Sequence, residues 1–105
     1  MKQKTYNKLV RDKIPKIIKS KGAMPLTRIL DDREFSEELN KKLMEEVEEF
    51  LLSYDIEELA DIYEVLLSIL CTRGVSFDEF EKIRYRKVQE RGAFEKKVFL
   101  VSVEE

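Results

Sequence analysis

Pairs of acidic residues at helical spacing are the feature of this 105-residue chain that could do chemistry. Glu46 and Glu49 are three positions apart, and Glu58 and Asp61 repeat that spacing. Residues three apart lie on one face of a helix, so two neighbouring helices could bring all four carboxylates together. These carboxylates would repel one another unless a cation lay among them. Mg²⁺ is the natural cation, because it prefers oxygen ligands and keeps positions open for a phosphate-bearing substrate. We also expect Mn²⁺ to substitute for it.

A magnesium site of this kind could hydrolyse a phosphoric anhydride without histidine. Mg²⁺ lowers the pKa of a bound water, and a carboxylate can accept the proton that this water loses. The chain has no His and a single Cys, which excludes histidine-dependent catalysis, histidine-ligated zinc and an internal disulfide framework. The substrate phosphates would need cations as partners. The candidates are Lys8, Arg11, Lys13, Lys87 and Arg91.

Opposite charges are concentrated in different parts of the chain. Residues 1–21 contain eight basic residues and one acidic residue, whereas residues 31–64 contain fourteen acidic residues and three basic ones. The formal charge of the whole chain is −2, which disfavours general affinity for nucleic acid. The basic segment could deliver cations to a triphosphate above the acidic site, or it could form a solvated face that neutralises the acidic part. Charge alone leaves both interpretations open.

Helices must position these residues. Capping and helix-breaking residues predict a short helix over 12–19 and a long helix that begins after Asp31, Asp32 or Ser36 and runs to about Ser53. A third helix would begin with a capping box at Asp55 and run to about Arg73. A fourth would begin with a capping box at Ser76 and run to about Arg91. Gly74 and Gly92 are the expected stops of the last two helices. Residues 97–103 alternate enough to predict a short strand, which could pair with residues 26–30.

The predicted fold is a single all-α domain over residues 1–105 with a minor extended edge. A link of about two residues makes the second and third helices an antiparallel hairpin. After Tyr63 the third helix is apolar nearly all round, and the rest of a small chain cannot cover so much apolar surface. We therefore expect a homodimer or homotetramer built on helix packing, with Cys71 as a small buried hydrophobe. No segment reads as a membrane span or a signal peptide, so we expect a cytoplasmic protein.

The acidic motif resembles the signature of a known superfamily. E-E-x-x-E (Glu45, Glu46 and Glu49) followed by E-x-x-D (Glu58 and Asp61) resembles the all-α nucleoside triphosphate pyrophosphatases. That superfamily includes MazG, the dimeric dUTPases and phosphoribosyl-ATP pyrophosphohydrolase. The resemblance implies an all-α helical fold of the MazG-like type.

Both ends of the chain resemble one branch of that superfamily. The ten residues from position 6, YNKLVRDKIP, are similar to the N-terminus of the MazG-like, phosphoribosyl-ATP pyrophosphohydrolase-like branch. Residues 91–94, RGAF, are similar to the Arg-Gly-Gly-Phe element of that branch, with Ala93 in place of the second glycine. The resemblance thus covers nearly the whole chain.

The resemblance implies hydrolysis of a nucleoside triphosphate between the α and β phosphates, which removes noncanonical or excess nucleotides. The metal ligands of the family carry over to Glu46, Glu49, Glu58 and Asp61. The catalytic glutamates carry over to Glu45, Glu46 and Glu49, and Glu45 would orient a water or a second metal ion. Eight residues separate Glu49 from Glu58, fewer than in typical MazG domains, which leaves the preferred base and sugar open.

Three alternatives stay open at this point. The substrate could be phosphoribosyl-ATP itself. The same fold and acidic site could bind a nucleotide or metal without turnover. The chain could also be a structural helical oligomer whose acidic residues are solvated surface groups, since each single glutamate is compatible with that interpretation.

Overall fold

The computed structural model describes residues 2–105, and their regular structure is helical. The helices are α1 (Ile14–Ser20), α2 (Asp32–Ser53), α3 (Ile56–Thr72) and α4 (Phe77–Arg91). No strand occurs in this part of the chain, and the all-α prediction is therefore confirmed there. The chain divides after Gly74 into two compact units, one with α1, α2 and α3 and the other with α4 and the tail. Whether residues 1–105 act as one domain stays a prediction.

Local capping determines where α2 begins and where α4 begins and ends. The side chain of Asp31 accepts a hydrogen bond from the backbone N–H of Glu34 at 2.8 Å. Ser76 Oγ accepts one from the N–H of Glu79 at 3.2 Å. Such bonds satisfy N–H groups that have no partner within the helix. Gly92 follows α4 with φ of 85°, which glycine adopts without steric cost. The predicted caps at Asp31 and Ser76 are confirmed.

The start of α3 differs from the prediction. Asp55 is the N-cap residue, but its side chain makes no capping hydrogen bond, so the predicted capping box with Glu58 is wrong. The N–H of Asp55 donates instead to Ser53 Oγ at 3.1 Å. Tyr54, with φ of 58°, ends α2 in the left-handed conformation. The carboxylate of Glu58 is therefore not needed as a cap.

Helices α2 and α3 pack side by side. Because Tyr54 and Asp55 alone separate them, α3 returns along α2 as an antiparallel hairpin. Leu39 of α2 and Val65 of α3 are buried within it, and Glu46 is buried as well. The buried face of α2 thus includes a charged residue, whereas Val47, the next residue of the same helix, stays 37% exposed.

The predicted strand over 97–103 is wrong, and residues 26–30 do not form the strand that was expected to pair with it. Neither segment is a strand in the described chain, and apolar side chains such as Leu26 and Phe99 are almost fully exposed. A strand exists only where its backbone hydrogen-bonds to a neighbouring strand. Alternation of side chains gives a segment two faces but does not supply that neighbour.

Much of the apolar surface of α3 is uncovered in the single chain. Burial of Cys71 in an oligomer stays a prediction, since Val65 is the buried residue of α3 and Cys71 is exposed in one chain by itself. The reason is geometric, because α2 covers only one side of α3. None of the four described helices combines the length and apolar character that crossing a bilayer requires.

Candidate metal centre

Three carboxylates meet where α2 and α3 pack together. Glu46 comes from α2, and Glu58 and Asp61 come from the first half of α3. One oxygen of each carboxylate lies within 4.8 Å of the others. The hairpin makes this meeting possible, because the antiparallel return of α3 brings its first turns beside the last turns of α2.

Glu58 is the member of this group with an unsatisfied oxygen. Its Oε2 is buried and has no hydrogen-bond partner. A buried carboxylate oxygen without a partner is unfavourable, and a site that holds a ligand is one reason to retain it. Removal from water raises the pKa of Glu58, and the nearby carboxylates of Glu49, Asp61 and Glu46 raise it further.

Glu46 is the buried charged residue of the described chain, with 7% of its surface exposed. Its Oε1 lies 3.3 Å from Nζ of Lys42, one helical turn earlier on α2. Burial raises the pKa of Glu46, Lys42 opposes that rise, and the carboxylates of Glu49 and Asp61 add to it, with a net increase. Lys42 therefore offsets part of the cost of burying this carboxylate.

Basic residues of the N-terminal segment reach the same place. Arg11 Nη2 lies 2.6 Å from Asp61 Oδ1, and Lys8 Nζ lies 3.3 Å from Glu45 Oε1. Lys42 also contacts Glu45, at 3.4 Å. Burial by itself would raise the pKa of Glu45, but Lys42 and Lys8 hold it below its ordinary value. The acidic group is therefore bordered by cations that come from two separate parts of the chain.

These side chains line one open pocket of about 310 Å³. Its lining is Lys8, Val10, Arg11, Ile14, Lys42, Glu45, Glu46, Glu49 and Asp61. Carboxylates and cations therefore share one concave surface. A ligand that carries both a divalent cation and phosphate groups would meet a partner for each charge there.

The predicted site residues divide into two sets. The structure brings Glu45, Glu46, Glu49, Glu58, Asp61, Lys8 and Arg11 to this one region of the hairpin. Glu49 is exposed and lies outside the three-carboxylate group, although it lines the pocket. Lys13 is exposed and is not among the lining residues. Lys87 and Arg91 are exposed residues of α4, in the second unit.

Lys42 is the pocket residue that the sequence interpretation missed. It lies three and four positions before Glu45 and Glu46, the spacing at which helical side chains meet. That spacing would have been sufficient to find it. The phosphate-binding residues predicted from the sequence lie at positions 8–13 and 87–91.

The three carboxylates fit a hard divalent cation. Oxygens on opposite sides of a bound Mg²⁺ are separated by about 4.2 Å, since each Mg–O bond is about 2.1 Å long. The observed spread, within 4.8 Å, needs only a small approach of the side chains. The unpartnered oxygen of Glu58 points to the same conclusion, because a cation would satisfy it.

No protein-family model matches this chain, and neither the curated proteins nor the solved structures contain a match to it.

Proposed function

We propose that this protein is a magnesium-dependent nucleoside triphosphate pyrophosphatase. It would cleave the bond between the α and β phosphates and release a nucleoside monophosphate and pyrophosphate. One observation carries the proposal: three carboxylates lie within 4.8 Å of one another, and two of them, Glu46 and Asp61, line a single pocket together with three basic side chains. The motif resemblance to the all-α pyrophosphatases supports the same reaction.

The acidic residues would hold the metal and handle the proton. We assign the metal to Glu46, Glu58 and Asp61, with Glu49 as a further ligand. When bound, Mg²⁺ would shield phosphate charge and lower the pKa of the attacking water. That water's oxygen forms a bond to the α phosphorus while the bond to the bridging oxygen breaks, and pyrophosphate leaves. A carboxylate at the pocket, Glu49 or Glu45, would accept the proton of the water.

The basic residues would hold the phosphates. Lys8, Arg11 and Lys42 line the pocket and can meet the charge of a triphosphate. The guanidinium of Arg11 suits phosphate particularly well, because it can donate two parallel hydrogen bonds. Lys13, Lys87 and Arg91 are further candidates from the sequence.

We also propose that the protein works as a homodimer or homotetramer. In the single chain, apolar side chains of α2 and α3 are exposed, among them Leu51 at 58% and Leu52 at 85% on α2 and Leu59 at 42% and Tyr63 at 46% on α3. A second copy packed on these faces would remove that apolar surface from water. The expected compartment is the cytoplasm, where nucleoside triphosphates are plentiful.

The test measures pyrophosphate release from a panel of ribo-, deoxyribo- and modified nucleoside triphosphates and phosphoribosyl-ATP, with Mg²⁺ and with chelator. The expected result is Mg²⁺-dependent release of pyrophosphate with the matching monophosphate. Glu58→Gln should reduce turnover about 100-fold or more, since it removes a charge that holds the metal. Glu57→Gln is the matched control, because Glu57 is an exposed neighbour outside the three-carboxylate group.

The alternative is a module that binds metal and nucleotide without turnover. The ion pair between Arg11 and Asp61 favours it, because a proposed metal ligand is already occupied by a cation. Absence of pyrophosphate across the panel, from protein whose Tm still rises with Mg²⁺, would support that alternative. Absence of both responses would leave the acidic residues as surface groups of a structural oligomer.

A further inference from the structure

The N-terminal segment, residues 2–13, is attached to the hairpin through Asp61 of the proposed metal site and through the neighbouring Glu45. The segment contains no helix and no strand. Its ion pairs to the hairpin are Lys8 to Glu45 and Arg11 to Asp61, which join residues 37 and 50 positions apart. Val10 of the segment lines the same pocket. Asp61 therefore holds the segment and would also hold a metal.

A divalent cation and Arg11 would oppose each other at Asp61. Arg11 Nη2 is 2.6 Å from Asp61 Oδ1, and Asp61 is one of the three clustered carboxylates. A metal bound by Asp61 would neutralise the charge that attracts Arg11 and would add positive charge beside the guanidinium. This opposition holds whichever oxygen of Asp61 the metal takes.

The attachment is weak enough to be exchanged. The side chains of Arg11 and Asp61 are 56% and 37% exposed, and exposed ion pairs contribute little to stability. Lys8 is also partly exposed, and it shares Glu45 Oε1 with Lys42. Glu45 therefore keeps Lys42 as its partner when Lys8 leaves. Lys42 also stays beside the buried Glu46.

We propose that Lys8 and Arg11 are internal counter-ions that are exchanged when the metal and the phosphates arrive. In the free protein they pair with Glu45 and Asp61 and limit the mutual repulsion of the carboxylates. A divalent cation displaces Arg11 from Asp61 and loosens the segment, and phosphate groups bound to that cation then pair with Arg11 and Lys8. The N-terminal segment thus closes over a metal–triphosphate complex and opens for the metal alone. The proposal depends on the metal site of the proposed function.

The first test measures metal binding to the whole chain by the loss of the free Mn²⁺ electron paramagnetic resonance signal. Arg11→Met should bind Mn²⁺ about two- to five-fold more tightly than the unmodified protein, because a competing cation has been removed. Lys19→Met is the control, since Lys19 is an exposed residue of α1 outside the pocket. Its Mn²⁺ affinity should not change. Equal or weaker binding by Arg11→Met would overturn the proposal.

Electrostatics alone could tighten Mn²⁺ binding, so a second test follows the segment itself. Limited trypsin digestion cleaves after Lys8, Arg11 and Lys13, and cleavage after Lys97 in the tail is an internal reference. Mn²⁺ alone should accelerate cleavage in the segment relative to the reference. Mn²⁺ with inorganic tripolyphosphate should slow it to the metal-free rate or below.

The outcomes separate this proposal from the function on which it depends. If Mn²⁺ binds but leaves cleavage unchanged, or if it protects the segment without tripolyphosphate, the counter-ion exchange is wrong. The proposed metal site is not contradicted by either result. Failure of the unmodified protein to bind Mn²⁺ overturns both the exchange and the proposed magnesium site.

Discussion

Lys42 and Glu46 lie one turn apart on α2 with Nζ 3.3 Å from Oε1, and their side chains are 17% and 9% exposed. This is the most buried ion pair of the hairpin, and it lies at the edge of the three-carboxylate group. Exposed pairs at this spacing add only a few tenths of a kcal/mol to stability. A buried pair differs, because removing one partner leaves an uncompensated charge inside the protein.

Lys42→Met should therefore destabilise the protein by about 1–3 kcal/mol in the free energy of unfolding. Chemical denaturation measures this change. Lys41→Met is the matched control, because Lys41 is exposed and its partner Glu38 lies outside the pocket, and it should have little effect. A double variant, Lys42→Met with Glu46→Met, should recover much of the lost stability, since neither charge is then buried alone. No recovery would mean that packing of the lysine stem, and not its charge, is what matters.

Glu58→Gln should raise the Tm of the metal-free protein. The substitution keeps the shape of the side chain and removes one of the carboxylates that repel one another near Glu46 and Asp61. The same substitution should reduce or abolish the rise in Tm that Mg²⁺ causes in the unmodified protein. Thermal unfolding with Mg²⁺ and with chelator measures both effects. With Glu57→Gln, the response to Mg²⁺ should be unchanged.

The pH dependence of stability follows from the raised pKa of Glu58. The folded, metal-free protein binds this proton more readily than the unfolded chain does, because burial and neighbouring carboxylates disfavour the ionised form. The resulting stabilisation is present below the ordinary pKa of 4.5 and is lost as the pH rises through the raised value. The gain in stability from Glu58→Gln should therefore be smallest at acid pH and should increase toward neutral pH. A gain independent of pH would contradict this origin.

The affinity for metal should increase with pH, whereas the stabilisation that comes from the Glu58 proton decreases with pH. A metal needs ionised ligands, and the pKa values of Glu46 and Glu58 are both raised. The affinity for Mn²⁺ should therefore begin to fall while the pH is still above the ordinary carboxyl range. Calorimetric titration between neutral and mildly acid pH measures the decrease. Constant affinity down to pH values of about 4.5 would argue against these two carboxylates as ligands.

The exposed face of α2 offers a test of oligomerisation. Leu51 is 58% exposed in the single chain, one turn after the exposed Val47. Leu51→Glu should shift the protein to a smaller species in sedimentation, because an ionised side chain resists burial between two copies. Glu48→Gln is the control at an exposed position on the same helix and should leave the size unchanged. If the unmodified protein sediments as a monomer, the proposed oligomer is wrong.

Features that depend on neighbours along the chain could be predicted from the sequence. Asp31 and Ser76 cap their helices because a short polar side chain can reach an N–H group a few residues away. The short link between α2 and α3 and the repeated spacing of acids were also sufficient to expect carboxylates to meet between these helices. That expectation concerned four residues, of which Glu46, Glu58 and Asp61 form the close group.

Only the tertiary structure decided which residues face one another. The contact with α3 buries Glu46 of α2, whereas Val47 and Glu49 of the same helix stay exposed. The strand expected over 97–103 required a backbone partner that side-chain alternation cannot specify. The pairing of Arg11 with Asp61 joins positions 50 residues apart. Periodicity describes the faces of one helix and carries no information about such distant pairs, so this ion pair, which connects the N-terminal segment to the carboxylates, follows from the fold alone.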